Sequence, residues 1–267
     1  MSISAVVSEV VAATPDVTWS IAVTGRPGAE AGHDPGRRLA TASIGKILLL
    51  AETARRITEG TLDPGEVLRR DPAIAVADSG LWQHLAVDAL PIADVAVLIA
   101  AVSDNYATNV LLQRIGLDAV RALAAALKLE QTALNRMVRN VRIPGDNTRL
   151  STGSARELAS LMHRVARGRL ISAAVSAQLD AWLATNTDLS MVAAGLDLDP
   201  LAHVGARLRN KTGTDNGIRA DVGYLRGDQP LAYAVLANWD PSARDATADV
   251  MAGMRRIGAE LSDPGPK

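Results

Sequence analysis

The chain has 267 residues, 48% hydrophobic and 21% charged, a balance typical of a globular protein rather than of a disordered one. Its formal net charge of -1 provides no basic field for nucleic acid, and its scarcity of aromatic residues (0 Phe, 3 Tyr, 4 Trp) argues against stacking platforms for single strands. With 0 Cys, the sequence excludes disulfides, thiolate nucleophiles and Cys-ligated metal sites.

The N-terminal segment predicts a helix that leads into a strand. It has no basic region ahead of an apolar run, and Glu9 interrupts its hydrophobic stretch, so it does not resemble a secretory signal. No run reaches the roughly 18 apolar residues that cross a membrane. We therefore expect a cytoplasmic protein without membrane contact, or a secreted one if a leader has been removed. Val17 to Thr24 predicts a strand, and the turn Gly25 to Gly28 makes it the start of a hairpin.

The middle of the chain is predicted to be helical. Apolar residues recur at helical spacing in most of its segments, while Asp63 to Gly80 and Arg136 to Leu150 predict loops. The predicted helices are Ile44 to Ile57, Ile92 to Val102, Tyr106 to Ile115, Asp118 to Leu129, Ser154 to Arg167 and Ala173 to Ala184.

The C-terminal part changes to strands. Ala206 to Lys211, Ala220 to Leu225 and Leu231 to Asn238 predict three strands, Ala243 to Leu261 predicts a closing helix, and the tail from Asp263 is expected to fray. Strands at both ends and helices between them predict an α+β fold. One antiparallel sheet from both termini would be flanked by helices, with an all-helical lobe inserted. We expect one domain of two lobes, about 1–45 with 200–267 and about 46–199, and a site in the cleft between them.

The first chemical motif is Ser43-Ile44-Gly45-Lys46 at the start of a predicted helix. The dipole of a helix N-terminus favours a developing oxyanion at Ser43, and Lys46 would lie one turn later, within reach of the serine hydroxyl. A lysine desolvated among apolar neighbours has a lowered pKa and accepts a proton more readily. The alternative is structural: a helix-capping serine followed by a snorkelling lysine.

Two further motifs occur later in the chain. Ser103-Asp104-Asn105 lies between two predicted helices, where the residues either cap a helix or hold a loop, and Ser103 could relay a proton. Lys211-Thr212-Gly213 ends a predicted strand. There the lysine charge and the threonine hydroxyl suit a substrate carboxylate, and the glycine would let a substrate backbone approach. An edge strand with a solubilising Lys and a turn Gly is the alternative.

In this order the three motifs resemble the signature S-x-x-K, S-D-N, K-T-G of the class A β-lactamases and penicillin-binding proteins. The resemblance extends to their surroundings and covers nearly the whole chain. The matching segments are Thr41 to Leu50 (TASIGKILLL), Ala101 to Leu112 (AVSDNYATNVLL) and Asn210 to Gly223 (NKTGTDNGIRADVG).

The resemblance implies a role for each matching residue. Ser43 would be the nucleophile and Lys46 its activating partner, while Ser103 and Lys211 would form a proton relay and an electrostatic anchor. Asn105 would contact the substrate side chain, and the backbone N–H groups of Ser43 and Thr214 would form the oxyanion hole.

Two further residues are weaker candidates for substrate contact. Arg219, in the hairpin after Lys211-Thr212-Gly213, would either add a second cation for a carboxylate or be an exposed strand arginine. Trp82, in a segment (Ser79 to His84) that resembles the family's cleft-rim loop, would either form a wall for substrate or pack the loop.

The sequence departs from the class A pattern at the deacylation step. Those enzymes carry a glutamate in an E-x-x-x-N pattern after S-D-N, whereas Gln131 to Gly145 contains no Asp or Glu. It contains Arg136, Arg139 and Arg142 instead, which either recognise an acidic substrate or form a solvated basic loop.

Three functions therefore stay open. One is a β-lactamase-like serine hydrolase that works through a Ser43 acyl-enzyme, one is a cytoplasmic esterase or peptidase on the same fold, and one is a non-catalytic binding protein. We expect a monomer whose substrate is a small molecule with a carboxylate, and neither a cofactor nor a metal, since the four His are scattered.

Overall fold

The structure, a computed structural model, describes residues 1–140, 148–199 and 207–262. The strands in the described residues are β1 (Thr18–Thr24), β2 (Ala31–His33), β3 (Leu39–Ala40), β4 (Val67–Arg69), β5 (Ala89–Pro91), β6 (Ala133–Leu134), β7 (Ser151–Gly153), β8 (Leu208–Asp215), β9 (Ile218–Leu225) and β10 (Leu231–Asn238). The α-helices are α1 (Ile3–Ala13), α2 (Lys46–Thr58), α3 (Ile92–Val102), α4 (Asn105–Ile115), α5 (Leu117–Ala126), α6 (Ala155–Ala166), α7 (Ala173–Leu183) and α8 (Thr247–Ser262).

One antiparallel sheet collects strands from both ends of the chain. Its five strands have the order β2-β1-β10-β9-β8, so the N-terminal hairpin and the C-terminal meander meet where β1 pairs with β10. Strand β8 forms one edge of this sheet. The α+β fold class predicted from the sequence is thereby confirmed.

Strand β10 shows how the sheet is covered on both faces. Its odd-numbered residues from Leu231 to Ala237 pack in a core with α1 and α8, and its even-numbered residues from Ala232 to Leu236 pack in a core with the helices of the middle of the chain. Successive side chains of a strand point to opposite faces, so an uninterrupted apolar run is what a strand covered on both faces requires.

Local signals explain why the helices begin where they do. The Ser2 side chain caps α1 by accepting a hydrogen bond from Ala5 N, Asp104 caps α4, and Ser154 caps α6. Such caps satisfy backbone N–H groups that have no partner inside the helix. In the described part of the chain, no helix combines the length and the apolar character that crossing a bilayer would require.

The structure differs from the sequence prediction in a few elements. The helix predicted from Ile44 begins at Lys46, because the segment Ala42–Gly45 forms a 3₁₀ turn. Strand β4 and the 3₁₀ turn Pro72–Ile74 lie in the stretch predicted as a loop, since three residues are too few to show a periodic pattern.

Some predictions fall outside the described residues. Of Arg136 to Leu150, the described residues 136–140 and 148–150 contain neither helix nor strand, as predicted, while Arg142 and Asp146 are among residues 141–147, which are not described. The beginning of the predicted strand at Ala206 and the tail from Asp263 are not described either. The proposed lobe boundaries near residues 45 and 200 stay predictions.

Candidate active site

The segment Ala42–Gly45, called the nucleophile turn below, presents the half-buried side chain of Ser43. Buried Ser151 of β7 fixes it: its Oγ donates to Ala42 O at 2.6 Å and accepts from Gly45 N at 3.2 Å. Asn238, at the end of β10, accepts from Ala40 N at 3.0 Å and donates to Ala40 O at 2.9 Å. These contacts, rather than an α-helical first turn, set the position of Ser43.

Strand β8 lies directly against the nucleophile turn at Gly213. A Cβ at this residue would fall 2.2 Å from Thr41 O, closer than real Cβ atoms approach, and 3.1 Å from Ser43 N. The expectation that Gly213 lets a substrate backbone approach stays a prediction, and the structure adds a second reason for a glycine here. The glycine makes room for the chain's own nucleophile turn.

The ladder between β8 and β9 determines which N–H groups of β8 point away from the sheet. Arg226 N donates to Arg207 O at 2.8 Å, which sets the alternation of bonded and non-bonded pairs along the hairpin. By that alternation Thr214, opposite Arg219, belongs to a non-bonded pair, and its N–H points away from β9. Thr214 also lines the cavity that contains Ser43, so a backbone donor is available there.

Lys46 is fully buried behind Ser43. Its Nζ donates to Ser103 O at 2.6 Å, to Asn105 Oδ1 at 2.8 Å and to Ser103 Oγ at 3.2 Å. Burial lowers the pKa of Lys46 well below its ordinary value, and the charge of Lys211 lowers it further against the opposing effect of Asp104 and Asp78. Among the described residues Lys46 has no hydrogen bond to the Ser43 hydroxyl, so the expected direct contact is absent and the lysine is held by the S-D-N loop.

That loop is held together by Asp104, which is buried. Its carboxylate accepts from the backbone N–H groups of Leu81 at 2.7 Å, Trp82 at 2.8 Å and Ala107 at 2.8 Å. Ser103 has a left-handed backbone, with φ +55°. Asp104 therefore has the structural role that its capping ability predicted, and it fixes the residues on either side of it.

Lys211 is the second fully buried lysine of the site. Its Nζ donates to Thr212 O at 2.9 Å. Burial lowers the pKa of Lys211 to about 8, although Asp188 and Asp221 act to raise it. Lys211 is therefore mainly cationic at neutral pH and provides a fixed positive charge behind Thr212.

The side chains of Arg219 and Trp82 both contact other residues of the protein. The Arg219 guanidinium is partly buried, donates to Asp215 O at 3.0 Å and Ile218 O at 2.8 Å, and lies 5.8 Å from the centre of the Trp239 ring. The expectation that Trp82 forms a wall for substrate is contradicted, because its side chain is 0% exposed and its ring packs 5.9 Å from the Tyr106 ring. The alternative, packing of the loop, describes Trp82.

A cavity of about 340 Å³ opens beside Ser43. It brings together the predicted residues Ser43, Ser103, Asn105, Thr212 and Thr214. The other lining residues are Asp78, Ser79, Val102, Asn186, Thr187 and Asp188. Sequence reasoning missed Asp78 and Asp188, since neither belongs to a motif. Among the described residues, no three His, Asp or Glu side chains are grouped as a metal site would need.

The described part of the arginine-containing loop is held by its own backbone and by α4. The Arg136 guanidinium donates to Thr148 O and to Met137 O, each at 2.9 Å. Asn109 of α4 accepts from Val138 N at 2.9 Å and donates to Val138 O at 3.0 Å. These contacts favour a structural role for Arg136 over contact with an acidic substrate.

The chain is similar in sequence and in structure to beta-lactamases and to PBP-A. A family model described as the beta-lactamase enzyme family matches residues 2–263. A solved beta-lactamase from Sphaerobacter thermophilus is 22% identical and superimposes with a TM-score of 0.84, over 97% of this chain and 95% of that one. A beta lactamase from Xanthomonas campestris pv. campestris is 20% identical, with a TM-score of 0.82 over 98% and 96% of the two chains. PBP-A is 21% identical, with a TM-score of 0.81 over 97% and 94%.

Proposed function

The chain belongs to the beta-lactamase enzyme family, and on that premise we propose that it is a serine hydrolase that opens a β-lactam or a related acyl compound through an acyl-enzyme on Ser43. One observation carries the proposal. The Ser43 hydroxyl, the Ser103 hydroxyl and the outward-facing edge of β8 at Thr214 line one cavity, with the buried Lys46 bonded to Ser103 behind it.

Lys46 acts as the proton acceptor for acylation. A neutral amine has two N–H groups and one lone pair. The two shortest contacts of Nζ, to Ser103 O and Asn105 Oδ1, use both N–H groups and leave the lone pair for a hydroxyl proton. Ser43 Oγ bonds to the acyl carbon and gives its proton to the Ser103 hydroxyl, which passes its own proton to Lys46, 3.2 Å away, while the carbonyl electron pair moves to oxygen.

The resulting oxyanion is stabilised by backbone donors. The N–H groups of Ser43 and Thr214 donate hydrogen bonds to it. They stabilise a negative charge that develops only as the transition state forms. Collapse of the intermediate breaks the bond from the acyl carbon to the leaving nitrogen. That nitrogen takes the Ser103 hydroxyl proton, and Ser103 takes the proton held by Lys46, 3.2 Å from Ser103 Oγ.

Deacylation is the slow step in this proposal. The acyl ester must be attacked by a water that gives up a proton, yet Gln131 to Gly145 supplies no carboxylate. Glu130, the nearest preceding acid, is exposed and is not among the cavity residues. Asp78 and Asp188, which line the cavity, lie outside the family's E-x-x-x-N pattern, so we assign Lys46 as the proton acceptor again and expect the acyl-enzyme to accumulate.

Penicillin labelling tests the proposal. A mutant of PBP-A has been solved as an acyl-enzyme complex with penicillin G, which makes this lactam a suitable probe. We expect a covalent adduct in intact-mass spectra and fluorescent penicillin labelling of the wild type and of a control variant, Ser8→Ala, an exposed serine of α1. Ser43→Ala should lose both, while far-UV circular dichroism stays unchanged. Nitrocefin should show a burst of one equivalent followed by slow turnover.

Short acyl esters and a fluorophosphonate probe, used beside the lactams, separate the two alternative functions. Hydrolysis of short acyl esters that depends on Ser43, without any lactam adduct, would favour the esterase or peptidase. A Ser43 hydroxyl that reacts with neither lactam, ester nor fluorophosphonate would favour a binding protein.

A further inference from the structure

The wall of the Ser43 cavity carries negative charge, although the buried charges behind it are positive. The ionisable residues among those lining the cavity are both acidic, Asp78 and Asp188. Lys46 and Lys211 are fully buried and act from behind the wall. A substrate with only negative charge would therefore meet a carboxylate at the cavity surface.

The two carboxylates differ in the hydrogen bonds and neighbouring charges that they already have within the protein. Asp188 accepts from Ser190 N at 3.2 Å and from Ser190 Oγ at 2.6 Å. Its charge also raises the pKa of Lys211 and of Arg219, against the larger effect of burial. Asp188 is therefore partly balanced by the two cations on the β8 side of the cavity.

Asp78 is exposed. Among the described residues its carboxylate has no hydrogen bond and no ion pair, although its charge acts to raise the pKa of the buried Lys46. Its backbone is left-handed, with φ +77°, a region that non-glycine residues seldom occupy. Two bonds hold this conformation: Asn105 Nδ2 donates to Ala77 O at 3.3 Å, and Asn105 N donates to Ser79 O at 2.9 Å. Asp78 is thus fixed between two residues bonded to Asn105, on the S-D-N side of the cavity.

We propose that Asp78 is the specificity residue for a positively charged group on the acyl side chain of the substrate. The inference rests on the proposed function and on two roles that the family resemblance implies, a substrate carboxylate beside Lys211 and the acyl side chain beside Asn105. The preferred substrate class is then zwitterionic, with a carboxylate at the β8 end and an ammonium group at the Asp78 end. Opposite charges placed in this way increase affinity and selectivity, and salt screens the effect.

Three penicillins that differ in one substituent test this inference. Ampicillin carries an amino group on the side-chain α-carbon, benzylpenicillin carries none, and carbenicillin carries a carboxyl group. Equilibrium binding is measured by calorimetry on Ser43→Ala, so acylation plays no part. We expect ampicillin to bind most tightly and carbenicillin most weakly, with about 5- to 10-fold between successive compounds at low salt.

Asp78→Asn in the same background should reduce each of these ratios to below about 2-fold, as should a high salt concentration. Asp228→Asn, an exposed carboxylate that is not among the cavity residues, should leave them unchanged. The inference is overturned if the order persists in Asp78→Asn, if the three affinities are equal, or if none of the penicillins binds. Failure of the wild type to form an adduct would instead contradict the proposed function, because binding to Ser43→Ala does not require acylation.

Discussion

Two buried lysines, chemically identical, have pKa values that respond to different neighbouring charges. Lys46 is desolvated and also lies near the positive Lys211, so its pKa falls well below the ordinary value although Asp104 and Asp78 act to raise it. Lys211 has Asp188 and Asp221 to offset its burial, and its pKa falls only to about 8. In the proposed mechanism these surroundings suit Lys46 to act as a base and Lys211 to anchor negative charge.

This difference predicts a bell-shaped pH dependence for acylation by a penicillin. As pH falls through the pKa of Lys46, the amine becomes protonated and can no longer accept the proton relayed from Ser43 by Ser103, so the rate decreases. As pH rises through about 8, Lys211 loses the charge that holds the carboxylate, so the rate decreases again. The second-order rate of labelling, measured across pH, checks both limbs.

Lys46→Arg provides the matched control, since an arginine keeps its charge throughout this range. We expect a loss of about 10²–10⁴ in the labelling rate. Wild-type acylation by this variant would contradict the role of Lys46 as the base. A neutral ester substrate should retain the acid limb and lose the alkaline one.

The site residues that could be predicted from the sequence are those in short motifs whose spacing along the chain already indicates their chemistry. The structure brings four of them together: Ser43, Lys46, Ser103 and Asn105. Each of their two motifs lies where one element ends and the next begins. Ser151 could not be predicted in this way, since its contact with Thr41 spans 110 residues. For Trp82 the sequence could not decide between a substrate wall and packing of the loop, because a loop sequence does not reveal which of its side chains point inward.

At the level of elements, the position of the nucleophile depends on the contact between the nucleophile turn and strand β8. Both elements were predicted approximately, but their separation was not, because it is set by tertiary packing. Backbone meets backbone at Gly213 and Thr41, and the donors of Ser43 and Thr214 are held on either side of this contact. The geometry of the proposed oxyanion hole therefore depends on this packing.

Gly213→Ala tests this contact. The new Cβ would lie 2.2 Å from the Thr41 carbonyl oxygen, so the turn and the strand must separate. We expect the acylation rate to fall by about 10²-fold, since displacements on the order of 1 Å have such effects. The labelling rate and the urea midpoint would be measured beside Gly227→Ala, whose Cβ meets nothing within 4 Å. Equal acylation by the two variants would refute the argument.

At the level of the whole molecule, the sheet belongs to two cores at once. Trp19 lies in the core that contains α1 and α8, whereas Trp82 and Trp182 lie in the core of the helical segment. Because each central strand contributes alternate side chains to both cores, loss of one core removes the support of the other. The chain order of the strands predicted the sheet, but not how the two cores share it.

We therefore expect one cooperative unfolding transition in urea. The double variant Trp19→Phe/Trp239→Phe leaves fluorescence only in the helical core, and Trp82→Phe/Trp182→Phe leaves it only on the other side of the sheet. In each variant the fluorescence curve should coincide with far-UV circular dichroism. Two separated transitions would show that the lobes unfold independently.

The two hydrogen bonds between the Asn238 side chain and the Ala40 backbone, called the clamp below, have a consequence for biosynthesis. Its two partners are separated by 198 residues, so a growing chain carries Ser43 long before the clamp exists. At ordinary translation speeds the interval is on the order of 10–40 s. During that time the serine lacks strand β8 and the donor at Thr214 as well. If Ser43 acylates as proposed, the growing chain is therefore expected to react with an acyl donor only after strands β8 and β10 have docked.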